Sequence, residues 1–312
     1  MESRTLTEPT QAFLESAIYL DSDREAVFAL HTSPRVPRAD LGVVLAHSGA
    51  NNFSSHRNGV WTSICRQLAN EGIPSLRFDF AGTGESSGEF VPGMEGQPVS
   101  DSAAAMDALR ALGSRRLLVV GSCFGGVPSA VASVNRADVA GLILLSPPLV
   151  LPASSRASRR DRIREVANRS TLRAVAVDAD YRRWFFARLA SLARTRAALT
   201  LSRQFGRRKE ARTLGPESPA ARTDSMLLEA ELARLVAAGC RLEFVYGSHD
   251  ESLQRLERSS AAIRSIGLMR REPNVVWTLL DGSVHGLEDV IVQEQLIRLV
   301  VDRAVTLSQP NV

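Results

Sequence analysis

The sequence predicts an α/β fold: a mostly parallel central sheet flanked by helices, with a helical segment inserted before the penultimate strand. Three observations carry this reading. Apolar runs of strand length alternate with helical patterns over residues 16–145 and again over 241–280, which is the rhythm of a parallel sheet. That rhythm stops over residues 152–238, where only helical patterns remain. A strand at 117–121 runs directly into Gly121-Ser122-Cys123-Phe124-Gly125 and then into a helix of small residues.

Each element follows in order. Residues 16–20 and 26–31 read as an antiparallel pair joined by Asp21-Ser22-Asp23, whose polar residues favour a turn. Residues 42–47 form a buried strand, and the amphipathic stretch 58–71 follows as a helix. The next strand is 75–79, then a glycine-rich loop, then a helix beginning near Ser100-Asp101. After the strand at 117–121 come the helix 127–135 and the strand 141–145. Within the insertion, residues 161–168 and 181–201 carry helical patterns. Strands resume at 241–246 and 274–280, each followed by a helix. The expected division is a core of residues 1–151 and 239–312 with a helical cap at 152–238.

Composition narrows the class. At 312 residues, 44% hydrophobic and 23% charged, the chain is neither disordered nor fibrous. The longest apolar run, 139–152, is too short to span a bilayer and is broken by Ser146-Pro147-Pro148, so no membrane association is expected. The polar start lacks the basic-then-apolar pattern of a secretory signal. Cys65, Cys123 and Cys240 are an odd number without zinc spacing, which points to a reducing, cytoplasmic setting and to no metal site.

The chemistry concentrates at three loops. A cysteine at the tip of a strand-to-helix turn sits where flanking glycines relieve crowding, and the helix dipole is expected to lower its thiol pKa. Cys123 is the candidate nucleophile; Ser122 occupies the variable position of the motif. Asp250 follows the strand at 241–246, and His285 follows the strand at 274–280. Catalytic groups of open α/β sheets gather at such strand ends. His285 would accept the thiol proton, and Asp250 would orient the imidazole and stabilise its charged form.

These motifs, together with Arg77-Phe78-Asp79-Phe80-Ala81-Gly82-Thr83-Gly84-Glu85-Ser86-Ser87-Gly88, resemble the α/β-hydrolase superfamily over nearly the whole chain. The cysteine departs from the serine majority. It is similar to the dienelactone-hydrolase branch and to thioesterase- or acyltransferase-like members of specialised metabolism. The resemblance implies that Asp79 is structural, in a loop at the site entrance. It also implies an oxyanion hole made by the Phe124 N–H with a second donor from His47-Ser48-Gly49-Ala50, at Gly49, with Ser48 or Ala50 as alternatives. In Ser55-His56-Arg57, a helix cap is favoured over a contact with substrate.

The net charge is +4, and Lys209 is the single lysine. Residues 156–212 hold sixteen arginines against five acids. Such a face is either solvated or a docking surface for an acyl carrier protein or coenzyme A thioester; no nucleic-acid motif accompanies it. Tyr181, Trp184 and Phe185 lie among these arginines and are candidates to line a pocket for a small-molecule acyl substrate. Gly82-Thr83-Gly84 lacks the context of a dinucleotide loop, and no cofactor is expected. The predicted function is acyl transfer from a thioester or activated ester through an S-acyl-cysteine. The alternatives are a dienelactone-type or carboxylester hydrolase and a non-catalytic binding protein of the same fold.

Overall fold

The computed structural model describes residues 13–23, 25–37, 40–49, 52–91, 95–150 and 228–309. One compact unit, Met1–Leu151 with Asp224–Val312, contains all of them. The strands are β1 (Phe13–Ser22), β2 (Glu25–Pro34), β3 (Leu41–Ala46), β4 (Ser75–Phe78), β5 (Arg116–Ser122), β6 (Val139–Leu145), β7 (Arg241–Gly247) and β8 (Val275–Leu280). They form one sheet in the order β1-β2-β4-β3-β5-β6-β7-β8. β2 pairs antiparallel with both β1 and β4, and all pairs from β4 to β8 are parallel.

The helices are α1 (Val60–Asn70), α2 (Gln97–Ala111), α3 (Gly126–Ser133), α4 (Glu229–Ala237), α5 (Glu251–Arg258), α6 (Ser260–Met269) and α7 (Val290–Ser308). The central strands are apolar throughout because both sheet faces are covered. In β3, Val43 and Leu45 join one core with Trp61, Ile64 and Leu68 of α1 and Val292, Leu296 and Val300 of α7. Val44 and Ala46 face the other core, where α2 contributes Met106 and Leu109, α3 Val127 and Ala130, and α6 Ile266. The two-residue period of the strand thus divides each strand between two cores.

Two boundaries differ from expectation. α2 begins at Gln97, a turn before Ser100, with Pro98 in its first turn; proline is pre-set for that position, where its missing N–H costs no helical bond. The core also takes up Glu229–Ala237, placed in the cap by sequence. Leu232 and Leu235 of α4 pack into the same cluster as Val127 and Ala130, so the apolar stripe of this helix covers the sheet. Residues 152–227, which hold most of the expected cap, lie outside the described residues. Among the described residues, no helix is long and apolar enough to cross a membrane.

Candidate active site

The parallel strands all end on one side of the sheet, and β5 delivers Cys123 there. Cys123 follows β5 directly, in a short 3-10 turn (Cys123–Gly125) that leads into α3. Its φ is +46°, a left-handed conformation that costs a side-chain-bearing residue about 1–3 kcal/mol. The turn closes only because two neighbours lack side chains. A Cβ on Gly121 would lie 2.4 Å from Gly126 Cα, and one on Gly125 would lie 2.2 Å from the His47 carbonyl oxygen. The motif is therefore a consequence of backbone contact, and it presses the Cys123 turn against the loop after β3.

Cys123 is half-buried and, like Cys65 and Cys240, a free thiol. Burial pushes its thiol above the ordinary value of 9.0, against the Phe124 N–H and the Arg57 charge, which both pull it down. This corrects the expectation of a lowered thiol pKa: desolvation outweighs the helix end, and the resting group is a neutral thiol. Phe124, whose N–H is the expected oxyanion donor, follows Cys123 in the same turn.

Asp250 is 1% exposed, in the turn after β7. Its Oδ2 accepts from the Gly247 N–H at 2.7 Å and from the Ser146 hydroxyl, while Oδ1 accepts from the Ser283 hydroxyl at 2.9 Å and the His285 backbone N–H at 3.0 Å. Four donors satisfy both oxygens of this buried side chain. The bond to His285 runs to its main chain, so Asp250 positions the histidine loop. Among the described residues the imidazole itself has no hydrogen-bond partner. His285 is solvent-exposed as a residue, yet the protein around its ring and the charge of Arg57 hold its pKa below 6.5, with Asp250 and Glu251 pulling the other way.

The loop after β3 supplies the opposite wall. His47 is fully buried, and burial lowers its pKa to about 4, so it is neutral. Its Nδ1 accepts from the Gly49 N–H at 3.2 Å. The favoured second oxyanion donor is thus engaged within its own loop. The half-buried Ser48 lies beside it, its hydroxyl accepting from Asn52 at 2.7 Å; Ala50 lies outside the described residues. Asp79 is structural, as expected, accepting from Ser54 N–H at 2.5 Å and Glu85 N–H at 3.1 Å. The cap of the turn Arg57–Gly59 is His56, whose Nδ1 accepts from the Arg57 N–H at 2.7 Å. Tyr181, Trp184 and Phe185 lie outside the described residues.

Ser146 was not among the sequence candidates. It follows β6 with φ +47°, is fully buried, and receives a 3.2 Å hydrogen bond from Ser252. Its signal was its position, the first residue after a central strand and before Pro147-Pro148. Among the described residues no group of three or more His, Cys, Asp or Glu side chains is arranged to hold a metal ion.

A side chain held at a left-handed strand-to-helix turn, on a sheet of this strand order, is the arrangement of the α/β class of hydrolase folds. The chain matches the alpha/beta hydrolase family over residues 43–289, and it belongs to that family. Among solved structures it is similar to an esterase of Pyrococcus furiosus, with 13% identity, TM-score 0.58 and coverage of 96% of this chain and 95% of the other. It is also similar to a proline iminopeptidase of Mycobacterium smegmatis, with 17% identity, TM-score 0.53 and coverage of 94% and 99%. A predicted CIB-like hydrolase of Thermoplasma acidophilum aligns at 14% identity and TM-score 0.51, with coverage of 94% and 99%. No curated protein sequence matches the chain.

Proposed function

We propose that this protein is an acyl-transfer enzyme, a thioesterase or acyltransferase, that works through an S-acyl intermediate on Cys123. The observation that carries the proposal is the placement of Cys123: a thiol at φ +46° in the turn that joins β5 directly to α3. His285 takes the thiol proton as the sulfur attacks the acyl carbon, and it returns that proton to the departing thiol. An acceptor (water, amine or hydroxyl) then gives its proton to His285, attacks the thioester carbon and releases the Cys123 thiol. A base is needed because burial keeps the thiol protonated at neutral pH.

Asp250 supplies a fixed negative charge for the imidazolium and anchors the loop that bears it. The Phe124 N–H is the oxyanion donor of this scheme, with the Gly49 N–H held by His47. A thioester donor favours this chemistry, since exchange between one thioester and another is close to isoenergetic. The arginine-rich stretch at 156–212 suits a donor with an acidic carrier, such as an acyl carrier protein or coenzyme A.

Intact-protein mass spectrometry tests the reading. Wild type and Cys123→Ala are mixed with a panel of acyl thioesters. An acyl adduct on the wild type alone is the expected result. Absence of both adduct and thioester consumption refutes the proposal.

A further inference from the structure

The carboxylate of Asp250 is fully occupied, yet the imidazole it should serve is not among its partners. A carboxylate offers about four acceptor positions. Oδ2 receives the Gly247 N–H and the Ser146 hydroxyl; Oδ1 receives the Ser283 hydroxyl at 2.9 Å and the His285 backbone N–H at 3.0 Å. A histidine base needs its Nδ1–H on the acid, so that Nε2 is turned toward the nucleophile. One of the four donors must therefore yield to the ring.

Three of them are held in place. Gly247 and His285 donate from the main chain, and the histidine loop is fastened along its length. The His249 N–H donates to the Gly282 carbonyl at 2.9 Å and the Leu287 N–H to the Ser283 carbonyl at 3.1 Å. The Leu287 carbonyl accepts from the side chains of Asn58 at 2.7 Å and Gln293 at 2.8 Å, and Val284 and Leu287 are fully buried. Ser146 is fully buried as well, and its hydroxyl also receives that of Ser252 at 3.2 Å, so it has no solvent to turn to. Ser283 differs. It is half-buried, as is Gly286, whose N–H donates to the Ser283 hydroxyl at 2.8 Å. Solvent can replace both contacts of this hydroxyl, and one step between staggered χ1 wells moves it off Asp250.

The geometry points to Ser283 as a positioning residue that competes with the His285 imidazole for Oδ1 of Asp250, so that acid and base pair only when this hydroxyl turns aside. This inference rests on the acyl-transfer reading above, in which His285 is the base. The ring needs no movement of the loop to take the vacated position. Its own backbone N–H already lies 3.0 Å from Oδ1, so rotation of the side chain brings Nδ1 to that oxygen. Proton transfer from Cys123 favours the exchange, because an imidazolium and a carboxylate make a stronger hydrogen bond than a neutral hydroxyl and a carboxylate.

The test uses Ser283→Ala, which removes the competitor, and Ser283→Thr, which keeps a hydroxyl. NMR titration of His285, assigned by its loss in His285→Gln, requires no substrate; the rate of Cys123 acylation by thioesters is followed by intact-protein mass spectrometry. In Ser283→Ala the His285 midpoint is expected to rise, since a bond to a carboxylate favours the charged ring, and the acid limb of the pH–rate profile should move up with it. Above that limb, acylation is expected to quicken about threefold to tenfold, the equivalent of one net hydrogen bond that need no longer be broken. Ser283→Thr is expected to return the midpoint toward the wild-type value. His56, Arg57, Asp250 and Glu251, which act on the ring, and Glu288 of the same loop are common to these proteins. Thermal unfolding midpoints verify that the variants fold. A His285 midpoint unchanged in Ser283→Ala, or slower acylation by that variant, overturns the role of Ser283. Absence of acylation in wild type and variants alike overturns the acyl-transfer reading, and the NMR midpoint then still decides whether Ser283 competes for Asp250.

Discussion

Acid should destabilise this protein through one identifiable side chain, His47. The ring is fully buried and its pKa is lowered by burial from 6.5 to about 4. The unfolded chain therefore binds a proton on this residue from about 6.5 downward, while the folded chain resists until about 4. Stability falls as pH drops through that window and levels off below it, where both states are protonated. Linkage over this shift gives a loss of about 2 kcal/mol by about pH 5 and about 3 kcal/mol by about pH 4. The loss has a local mechanism as well, because an Nδ1 that accepts from the Gly49 N–H cannot carry a proton of its own. The perturbation is His47→Gln, assayed by urea denaturation at about pH 7 and about pH 5. The wild type should lose about 2 kcal/mol more than the variant between the two pH values. Equal losses would refute the reasoning, since His56, Asp79 and Asp101 are present in both proteins.

Further outcomes follow from the same contacts. Ser146→Ala should cost about 1–3 kcal/mol in thermal or urea unfolding by removing a buried donor to Asp250; Ser146→Gly should be the milder change, because φ +47° suits glycine. Gly125→Ala should abolish Cys123 acylation, since the added Cβ would lie 2.2 Å from the His47 carbonyl oxygen, a backbone atom with no rotamer to yield. Iodoacetamide should alkylate Cys123 before the buried Cys65 and Cys240, the latter pushed up to about 12. Its alkylation rate should still be climbing above pH 9.0, whereas the acid limb of kcat/KM, set by neutral His285, should have its midpoint below 6.5.

The order of elements was legible because both faces of the sheet are covered. Fully apolar runs such as β3 are unusual outside that setting. The elbow was legible because its glycines answer to backbone contacts that leave no room for a side chain. Asp250 and His285 were findable by position, at the ends of β7 and β8. What they bond to was not: the pairing of Asp250 with Ser146 joins residues 104 apart, and no local pattern encodes it. The sign of the shift at Cys123 was likewise hidden, because it depends on how much protein surrounds the thiol. α4 was assigned to the cap because helical periodicity does not say which surface a helix will cover.

The bond between Ser146 and Asp250 also bears on how the family can vary. β6 and β7 are adjacent and parallel, paired along Gly141↔Arg241 to Leu145↔Val245, so Ser146 and Asp250 emerge from the same edge of the sheet. Their hydrogen bond joins the loop that follows β6 to the loop that follows β7. Each doubling of the length of a flexible connection between two strands costs only about 0.6 kcal/mol in closure entropy. The connection between β6 and β7 can therefore change in length at little cost while the Ser146 bond keeps Asp250, which anchors the histidine loop, in place.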